Sequence, residues 1–276
     1  MDLNGVSTVL AGDRFAAGEW RTREWRPGDA WLAGGTWLFS EPQPGVSRLI
    51  DLAEFGWPPL VDGADGLEIA ATCTLAQLAA WRGPADWPAA GLARVCCDAL
   101  LGSFKVWNAA KIGGNLCLAL PAGPMISLTA ALDGACTIWE ADGSLRTVRV
   151  VDFVLGDRRT ALGPGALLRS VHLPAHALRA RTAMRRASLT PLGRSAALVI
   201  GRRDPDTEAT VITITAAVPR PLQLRFDAPP SAGDLGAAIV ERAPVWHDDV
   251  HGDPRWRAHL TSVLSEQVRA ELADEL

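Results

Sequence analysis

Two pairs of adjacent glycines are the residues best suited to hold an anion. Gly34 and Gly35 lie in the segment LAGGTW, and Gly113 and Gly114 lie in KIGGN. Adjacent glycines permit unusual backbone angles and let a ligand reach main-chain N–H groups without a Cβ in the way. One such pair most often marks only a tight turn. Two of them, well separated in the sequence, can close around one elongated anionic cofactor, and we predict that they hold a pyrophosphate.

Other reactive side chains give weaker signals. His247 and His251 are four residues apart, as two zinc ligands on a helix would be. Their neighbours Asp248, Asp249 and Gly252 indicate a loop instead, so we expect no metal site. The chain has no GxSxG motif, and its paired aspartates are typical of turns. No side chain is therefore assigned as a catalytic acid, base or nucleophile.

The cysteines do not form a pattern that binds zinc or an iron–sulfur cluster. They are Cys73, Cys96, Cys97, Cys117 and Cys136, with no CxxC spacing. Cluster ligands converge from closely spaced thiolates, which this distribution does not offer. We expect reduced, mostly buried thiols, and we expect any iron–sulfur cluster to belong to a partner.

Composition limits the class of protein. With 276 residues and 48% hydrophobic content, the chain can bury a core and divide into two modest domains. A net charge of -4 gives no basic field for a phosphodiester backbone, so we expect no nucleic-acid partner. The uncharged segment 112–132 contains glycines, prolines and polar residues, which predict a loop and a buried helix rather than a membrane span. The beginning of the sequence lacks the pattern of an export signal, so we expect a cytoplasmic protein with no membrane association.

The elements that must position the first glycine pair follow from local pattern. Residues 6–10 predict a short helix, and residues 31–33 predict a strand that ends directly before the glycines. A helix is expected to follow the glycines, and residues 48–52 predict a second strand. The first glycine pair would therefore lie in a small β-loop-α-β unit.

Further along, the pattern alternates between strands and helices. Residues 67–71 predict a strand that leads into a helix capped by Thr74, and a second helix is predicted over 92–100. Residues 136–140 and 145–151 alternate apolar and polar side chains around a turn, which predicts a β-hairpin.

The last third of the chain predicts a second group of elements. Residues 210–218 and 222–226 favour strands, and apolar residues at three- and four-residue spacing predict a helix that includes 260–272. These elements indicate a separate small domain that packs closely on the first.

Longer motifs resemble the flavin subunits of the xanthine dehydrogenase family. AGGT at 33–36, IGGNLC at 112–117 and LPAGPMISLTAALDGAC at 120–136 occur in the family's order. Residues 152–174 are similar to the family's DFF...T.L.PGE...I.IP stretch, and residues 249–257 are similar to its D...S.YR element, with tryptophan in place of tyrosine. The resemblance covers nearly the whole chain. The family that it indicates includes the medium subunit of carbon monoxide dehydrogenase.

The resemblance implies an α+β fold with FAD as the cofactor. Residues 1–178 would form a vanillyl-alcohol-oxidase or PCMH-type FAD-binding domain with two α/β subdomains, about 1–56 and 57–178. Residues 179–276 would form a small C-terminal α+β domain like that of the carbon monoxide dehydrogenase flavoprotein.

The resemblance also assigns cofactor contacts by position. Those on one side of the pyrophosphate would be Leu32, Ala33, Gly34, Gly35, Thr36 and Trp37. Those on the other side would be Gly113, Gly114 and Asn115. Those that line the flavin or the adenine as an apolar wall would be Leu101, Cys117, Leu167 and Leu168.

Three positions depart from the family pattern. Lys111 stands where the family commonly has a threonine or serine, and it either meets the pyrophosphate as a point charge or extends into solvent. Pro124 stands where an aspartate holds the ribityl chain, and proline offers contact but no side-chain acceptor. Ala166 replaces the usual glutamate of the PGE element. The affinity for FAD or its orientation would differ from that of the family, while the fold would not.

The function implied by the resemblance is electron transfer. The chain would be the FAD-binding subunit or module of a molybdenum hydroxylase-type oxidoreductase, passing electrons from a partner's iron–sulfur clusters through flavin to a terminal acceptor. Its expected partners are a large molybdenum-cofactor subunit and a small 2Fe–2S subunit. Two alternatives remain open: a stand-alone FAD-dependent oxidase or dehydrogenase that acts on a small organic substrate, and a cofactor-free scaffold subunit.

Overall fold

The computed structural model describes residues 5–12, 25–243 and 245–274. The strands of this part of the chain form a three-stranded, a five-stranded and a four-stranded sheet and a two-stranded ribbon. In chain order they are β1 (Thr8–Ala11), β2 (Asp29–Leu32), β3 (Arg48–Asp51), β4 (Leu60–Gly63), β5 (Gly66–Ala70), β6 (Ala135–Trp139), β7 (Leu145–Arg149), β8 (Val154–Gly156), β9 (Arg159–Thr160), β10 (Leu167–Pro174), β11 (Arg181–Ala187), β12 (Ala197–Arg203), β13 (Thr210–Thr215) and β14 (Leu222–Phe226).

The helices of the described residues lie mainly between these strands and at the C-terminal end. In chain order they are α1 (Leu75–Ala80), α2 (Gly91–Ala99), α3 (Phe104–Ala109), α4 (Ile112–Leu118), α5 (Pro124–Ala131), α6 (Val150–Phe153), α7 (Ala175–Arg179), α8 (Ala232–Arg242) and α9 (Pro254–Leu272). None of the described helices combines the length and the apolar character that crossing a membrane requires.

The first sheet is parallel, with strand order β1-β3-β2. The strands predicted before the glycines and at 48–52 are confirmed as β2 and β3. The helix predicted over 6–10 is wrong, because the chain there forms β1, which pairs with β3. Thr8 and Val9 are β-branched and suit a strand once a partner is present, so pairing outweighs the local pattern.

The helix predicted directly after the first glycines is also wrong. Residues 36–40 form hydrogen-bonded turns, in which the N–H of Phe39 donates to the carbonyl oxygen of Gly35 at 2.8 Å. Pro42 and Pro44 disfavour helical angles at the residues that precede them, so the turn cannot continue into a helix. The unit around the first glycine pair is therefore β-loop-β.

The second sheet is antiparallel, with strand order β4-β5-β10-β6-β7. The predicted strand at 67–71 and the predicted hairpin are confirmed as β5 and as β6 with β7. The Thr74 hydroxyl accepts from the N–H of Gln77 at 3.0 Å, which confirms the predicted helix cap. The helix predicted over 92–100 is confirmed as α2, and the buried helix after the second glycines is confirmed as α5.

The third sheet is antiparallel, with strand order β11-β12-β13-β14 and α9 against one face. The side chains of β12 point alternately into two cores: Leu198 and Ile200 lie in the larger one, with α5, and Val199 lies in the smaller one, with α9. The hydroxyls of Ser127 on α5 and Thr215 on β13 are 2.7 Å apart across this contact. The predicted closing helix is confirmed, whereas the domain and subdomain boundaries remain predictions.

Candidate functional site

The structure brings the two glycine segments into direct contact. A methyl group placed on Gly34 would lie 1.9 Å from the carbonyl oxygen of Ala109 and 3.3 Å from Cγ of Lys111. Real Cβ atoms do not approach backbone oxygen so closely, so only glycine fits here. The first glycine segment therefore lies against the residues that lead into α4, as the predicted pyrophosphate site requires.

The first segment presents a run of free main-chain N–H groups. No N–H group of residues 33–37 donates a hydrogen bond to any described residue. Gly35 has a φ of 68°, in the left-handed region, and a methyl group on it would lie 2.3 Å from the ring of Phe39. Successive free amides next to a left-handed residue can bind an anion. Ala33, Thr36 and Trp37 thus lie where the sequence places one side of a pyrophosphate site.

The second glycine pair lies in the first turn of α4 rather than in a loop, which corrects the sequence analysis. The N–H of Ile112 donates to Cys73 at 2.9 Å, and the N–H of Gly113 donates to Ala71 at 3.0 Å. A methyl group on Gly113 would lie 2.6 Å from the Cβ of Ala71. Close packing on the end of β5 explains this glycine.

Packing does not explain Gly114. The residue is exposed, a methyl group added to it would meet nothing within 4 Å, and its N–H has no partner in the described part of the chain. Because alanine would favour the helix, a glycine at an open position indicates that something outside the chain approaches the backbone. Gly114 is therefore the residue of the second pair that the fold leaves open to a ligand, and its contact with a ligand stays a prediction.

Lys111 supplies a positive charge between the two segments. It is the N-cap residue of α4, and its Cγ lies beside Gly34. The side chain is half-buried, and no described carboxylate forms an ion pair with it. Its Cγ lies beside Gly34, and whether the ammonium group meets a pyrophosphate stays a prediction.

Asn115 and Pro124 lie at the junction of α4 and α5. The Oδ1 of Asn115 accepts from the N–H of Met125 at 3.1 Å, at the N-terminus of α5. Pro124 is buried as the first residue of that helix, where a missing N–H costs nothing. Asn115 thus positions α5, and direct contact of either residue with a cofactor stays a prediction.

The predicted apolar wall is divided between exposed and buried positions. Leu101 follows α2 with a left-handed φ of 57° and is 38% exposed, and Cys117 is exposed on α4. Leu167 and Leu168, at the start of β10, are buried. The indole N–H of Trp31 donates to the carbonyl oxygen of Ala166, the residue before Leu167, at 3.0 Å. This bond connects β2, which leads into the first glycine segment, to the residue before β10, but the contact of these residues with a flavin stays a prediction.

The thiols agree with the sequence analysis. All the cysteines are free, and every one except Cys117 is buried. Burial is the main cause that raises the pKa of Cys73 and of Cys97 to about 12. These neutral thiols behave as small apolar side chains of the core.

Sequence reasoning missed Arg158, which lies in the turn between β8 and β9. Its guanidinium lies 5.1 Å from the centre of the Trp37 ring, and its N–H donates to Ala119, directly after α4, at 3.0 Å. Arg158 therefore links Trp37 of the first segment to the end of α4, and its guanidinium also pairs with Glu41 at 4.0 Å. A single arginine in a surface turn carries no sequence signal for this role.

Arg169 was also missed, and it lies at an irregularity in β10. The register of β10 with β6 shifts between Leu168 and Ser170, and the Arg169 guanidinium lies 4.2 Å from the centre of the Trp57 ring. One guanidinium nitrogen, Nη1, is buried without a hydrogen-bond partner among the described residues. Burial lowers the pKa of this group. An unpaired buried donor close to the Leu167–Leu168 segment is an unfilled position for an acceptor.

The site as a whole is suited to a diphosphate-bearing cofactor: it joins free N–H groups, an open glycine and two cations. The chain belongs to the family described as "FAD binding domain in molybdopterin dehydrogenase", which matches residues 20–176. This match confirms the predicted family and FAD as its cofactor.

Relatives by sequence are plant xanthine dehydrogenases. The chain is 31% identical over 116 residues to xanthine dehydrogenase of Oryza sativa subsp. japonica, which is 40% of this chain and 8% of that protein. It is 36% identical over 70 residues to xanthine dehydrogenase 1 of Arabidopsis thaliana, which is 25% of this chain and 5% of that protein. The chain thus spans less than a tenth of the length of these relatives.

Solved structures show the same fold at low identity. A chain of quinoline 2-oxidoreductase from Pseudomonas putida 86 superposes with a TM-score of 0.79 at 18% identity, covering 100% of this chain and 99% of that one. A chain of carbon monoxide dehydrogenase from Oligotropha carboxidovorans gives 0.80 at 19% identity, with 98% and 99% coverage. These likenesses confirm the predicted α+β fold over the whole chain.

Proposed function

We propose that this protein is the FAD-binding subunit or module of a molybdenum hydroxylase-type oxidoreductase, and that it passes electrons from a partner's iron–sulfur clusters to a terminal acceptor. The observation that carries the proposal is the contact of Gly34 with the residues that lead to Gly114, with free N–H groups on both sides. Free N–H groups on two distant segments that meet in this way suit the diphosphate of one dinucleotide.

Each part of the site has a proposed role toward FAD. The N–H groups of residues 33–37 and of Gly114 would donate to the diphosphate, and Lys111 would balance part of its charge. Arg158 would hold Trp37 in place through its contact with the ring. FAD supplies the redox chemistry when bound, while the chain holds it and sets its surroundings.

The proposed partners are a large molybdenum-cofactor subunit and a small 2Fe–2S subunit, in the cytoplasm. Support comes from the match to nearly the whole length of one chain of carbon monoxide dehydrogenase, an enzyme described elsewhere as containing copper and molybdenum. The described residues offer no cluster of three or more histidine, cysteine or acidic side chains that could hold a metal. Metal centres are therefore assigned to the partners.

An absorbance spectrum of the purified chain, taken before and after incubation with excess FAD and gel filtration, tests the proposal. We expect the absorbance of oxidised flavin at one FAD per chain. We also expect one larger and one smaller subunit to copurify with the chain from the native source. A colourless protein after incubation would contradict FAD binding and favour a scaffold. Bleaching of the flavin by an organic substrate, with the isolated chain alone, would instead favour a stand-alone flavoenzyme.

A further inference from the structure

A second concave site, which we call the arginine groove, lies apart from the glycine segments. It is a cavity of about 490 Å³ between the end of β7 with α6 and the connection from β13 to β14. Its polar lining consists of Arg149, Asp152, Arg220, Gln223, Arg225 and Arg242. No residue of the two glycine segments contributes to it, so the function proposed above does not explain it.

The groove is strongly positive although the chain carries a net charge of -4. Four arginines line it; Arg149 pairs with Asp152 at 3.4 Å, and Arg225 pairs with Asp133. Arg220 and Arg242 have no ion-pair partner among the described residues. Because these two cations have no counter-charge in the groove, they repel each other, and a bound anion would relieve this repulsion.

One arginine of the groove is held in place by a network behind it. Arg225 donates to the carboxylate of Asp133 and, at 2.9 Å, to Oε1 of Gln223. The amide nitrogen of Gln223 in turn donates to the carbonyl oxygen of Ala130 at 2.6 Å. A guanidinium fixed in this way is preorganised for an anion, because less side-chain freedom is lost on binding.

The backbone of the groove adds few donors. Pro219 and Pro221 flank Arg220 and have no N–H, so recognition of an anion depends on the guanidinium groups. Planar guanidinium groups bind carboxylate and phosphate in a bidentate manner. The volume lies within the range of about 300–1,000 Å³ that small-molecule sites occupy.

We propose that the arginine groove binds a small ligand that carries two or more phosphate or carboxylate groups. Arg225 forms the fixed contact, and Arg220 and Arg242 close on the ligand from the other side. The ligand would connect the five-stranded sheet, through Arg149 at the end of β7, with the four-stranded sheet, through Arg225 on β14.

Calorimetric titration of the purified full chain with tripolyphosphate and, separately, with citrate tests the proposal at 0.15 M salt. We expect saturable binding of at least one of them at one site per chain. The double variant Arg220→Gln/Arg242→Gln should weaken it at least tenfold, because both unpaired charges are lost. The two titrations distinguish a phosphate ligand from a carboxylate ligand.

The matched control is Arg179→Gln/Arg255→Gln, which removes two exposed arginines elsewhere and changes the net charge equally. Its affinity should equal that of the unchanged protein. Loss of binding in this control to the same degree would show a general charge effect and overturn the proposal. The proposal would also be overturned if neither tripolyphosphate nor citrate bound. FAD content should be equal in both variants, so failure here leaves the flavin proposal standing.

Discussion

At the scale of single residues, the four glycines of the site are glycine for different reasons. Gly34 and Gly113 have no space for a methyl group, since backbone or Cβ atoms would lie less than 3 Å from it. Gly35 has a left-handed φ. Gly114 has neither constraint, and we propose that a bound group is the reason for it. The four positions therefore separate folding from ligand binding.

Gly114→Ala should raise the stability of the apoprotein and lower its affinity for FAD. Alanine in a helix is favoured over glycine by roughly 0.5–1 kcal/mol, and the position has space for the methyl group. The same methyl group would stand where the diphosphate approaches the backbone. We expect a small rise in the urea midpoint of the apoprotein and about a tenfold rise in the Kd for FAD, which fluorescence quenching measures.

Gly113→Ala is the control for this prediction. Its methyl group would collide with Ala71, so stability and FAD binding should fall together. If Gly114→Ala bound FAD as tightly as the unchanged protein, the placement of the diphosphate beside this residue would be wrong.

Lys111→Met should lower the affinity for FAD and reduce its dependence on salt. A hydrogen bond to a charged group contributes about 1.5–3 kcal/mol, so at least a tenfold loss is expected at low ionic strength. Screening weakens such an interaction, so the loss should shrink in 0.5 M salt. Titrations of riboflavin, which lacks the diphosphate, should show no difference.

The other lysine of the chain is a matched control. Lys105 is exposed on α3, and Lys105→Met should leave FAD affinity unchanged at both salt concentrations. Equal behaviour of the two variants would mean that Lys111 acts only through the overall charge, or extends into solvent.

At the scale of elements, a side chain of α4 caps the N-terminus of α5. Asn115→Ala removes the oxygen that accepts the N–H of Met125 at the start of α5. Loss of such a cap costs about 1 kcal/mol, because a helix-end donor loses its partner. We expect this decrease in the free energy of unfolding in urea. Asn108→Ala, an exposed asparagine on α3, should change it by much less.

The elements that the sequence predicts correctly are those determined locally. Thr74 with Gln77 forms a capping box, and the turn at 140–145 fixes its own hairpin. The error at β1 has a distant cause, its pairing with β3, whereas the error at residues 36–40 has a near one, the prolines just beyond the turn. Local periodicity contains neither.

The same division applies to the site. The glycine pairs are visible in the sequence because two adjacent glycines occur at only two places in the chain, 34–35 and 113–114. Arg158 and Arg169 are not visible, because each acts through a ring that lies far away in the chain, Trp37 and Trp57 respectively. Only the folded arrangement brings these cations to Trp37 and Trp57, and their role toward a cofactor is a proposal.

At the scale of the whole molecule, Asp133 connects the two cores. It lies after α5 with a left-handed φ of 51°, and its carboxylate accepts from Arg202 on β12 and Arg225 on β14. Burial raises its pKa, but the guanidinium groups of Arg225 and Arg202 outweigh this effect, so the pKa lies below its ordinary value. The carboxylate is charged in the folded protein under neutral conditions.

Asp133→Asn should destabilise the protein at neutral pH and remove part of its acid sensitivity. Asparagine tolerates the left-handed φ, but it leaves the buried Arg202 without a counter-charge, at a cost on the order of 3 kcal/mol. Since the folded pKa is depressed, this stability is present above the unfolded pKa near 4 and is lost as pH falls through the folded value. Urea unfolding at pH 7 and pH 3 measures both effects.

The comparison variant is Asp98→Asn, which removes an exposed carboxylate paired with Arg94. Its effect should stay below about 1 kcal/mol at either pH. A variant at Asp133 with the pH dependence of the unchanged protein would show that this carboxylate does not anchor the two cores.

Strand β12 has a consequence for how such proteins can be recombined. One face of the strand packs against α5 and the other against α9, so its side chains must fit two sets of neighbours. A chimera that takes all residues after 180 from a relative must also take the matching α5, because mismatched side chains would leave cavities between β12 and α5. Substitutions in the residues that pack on one face of β12 therefore constrain those on the other face. We expect chimeras that exchange the entire chain to keep both sets of contacts.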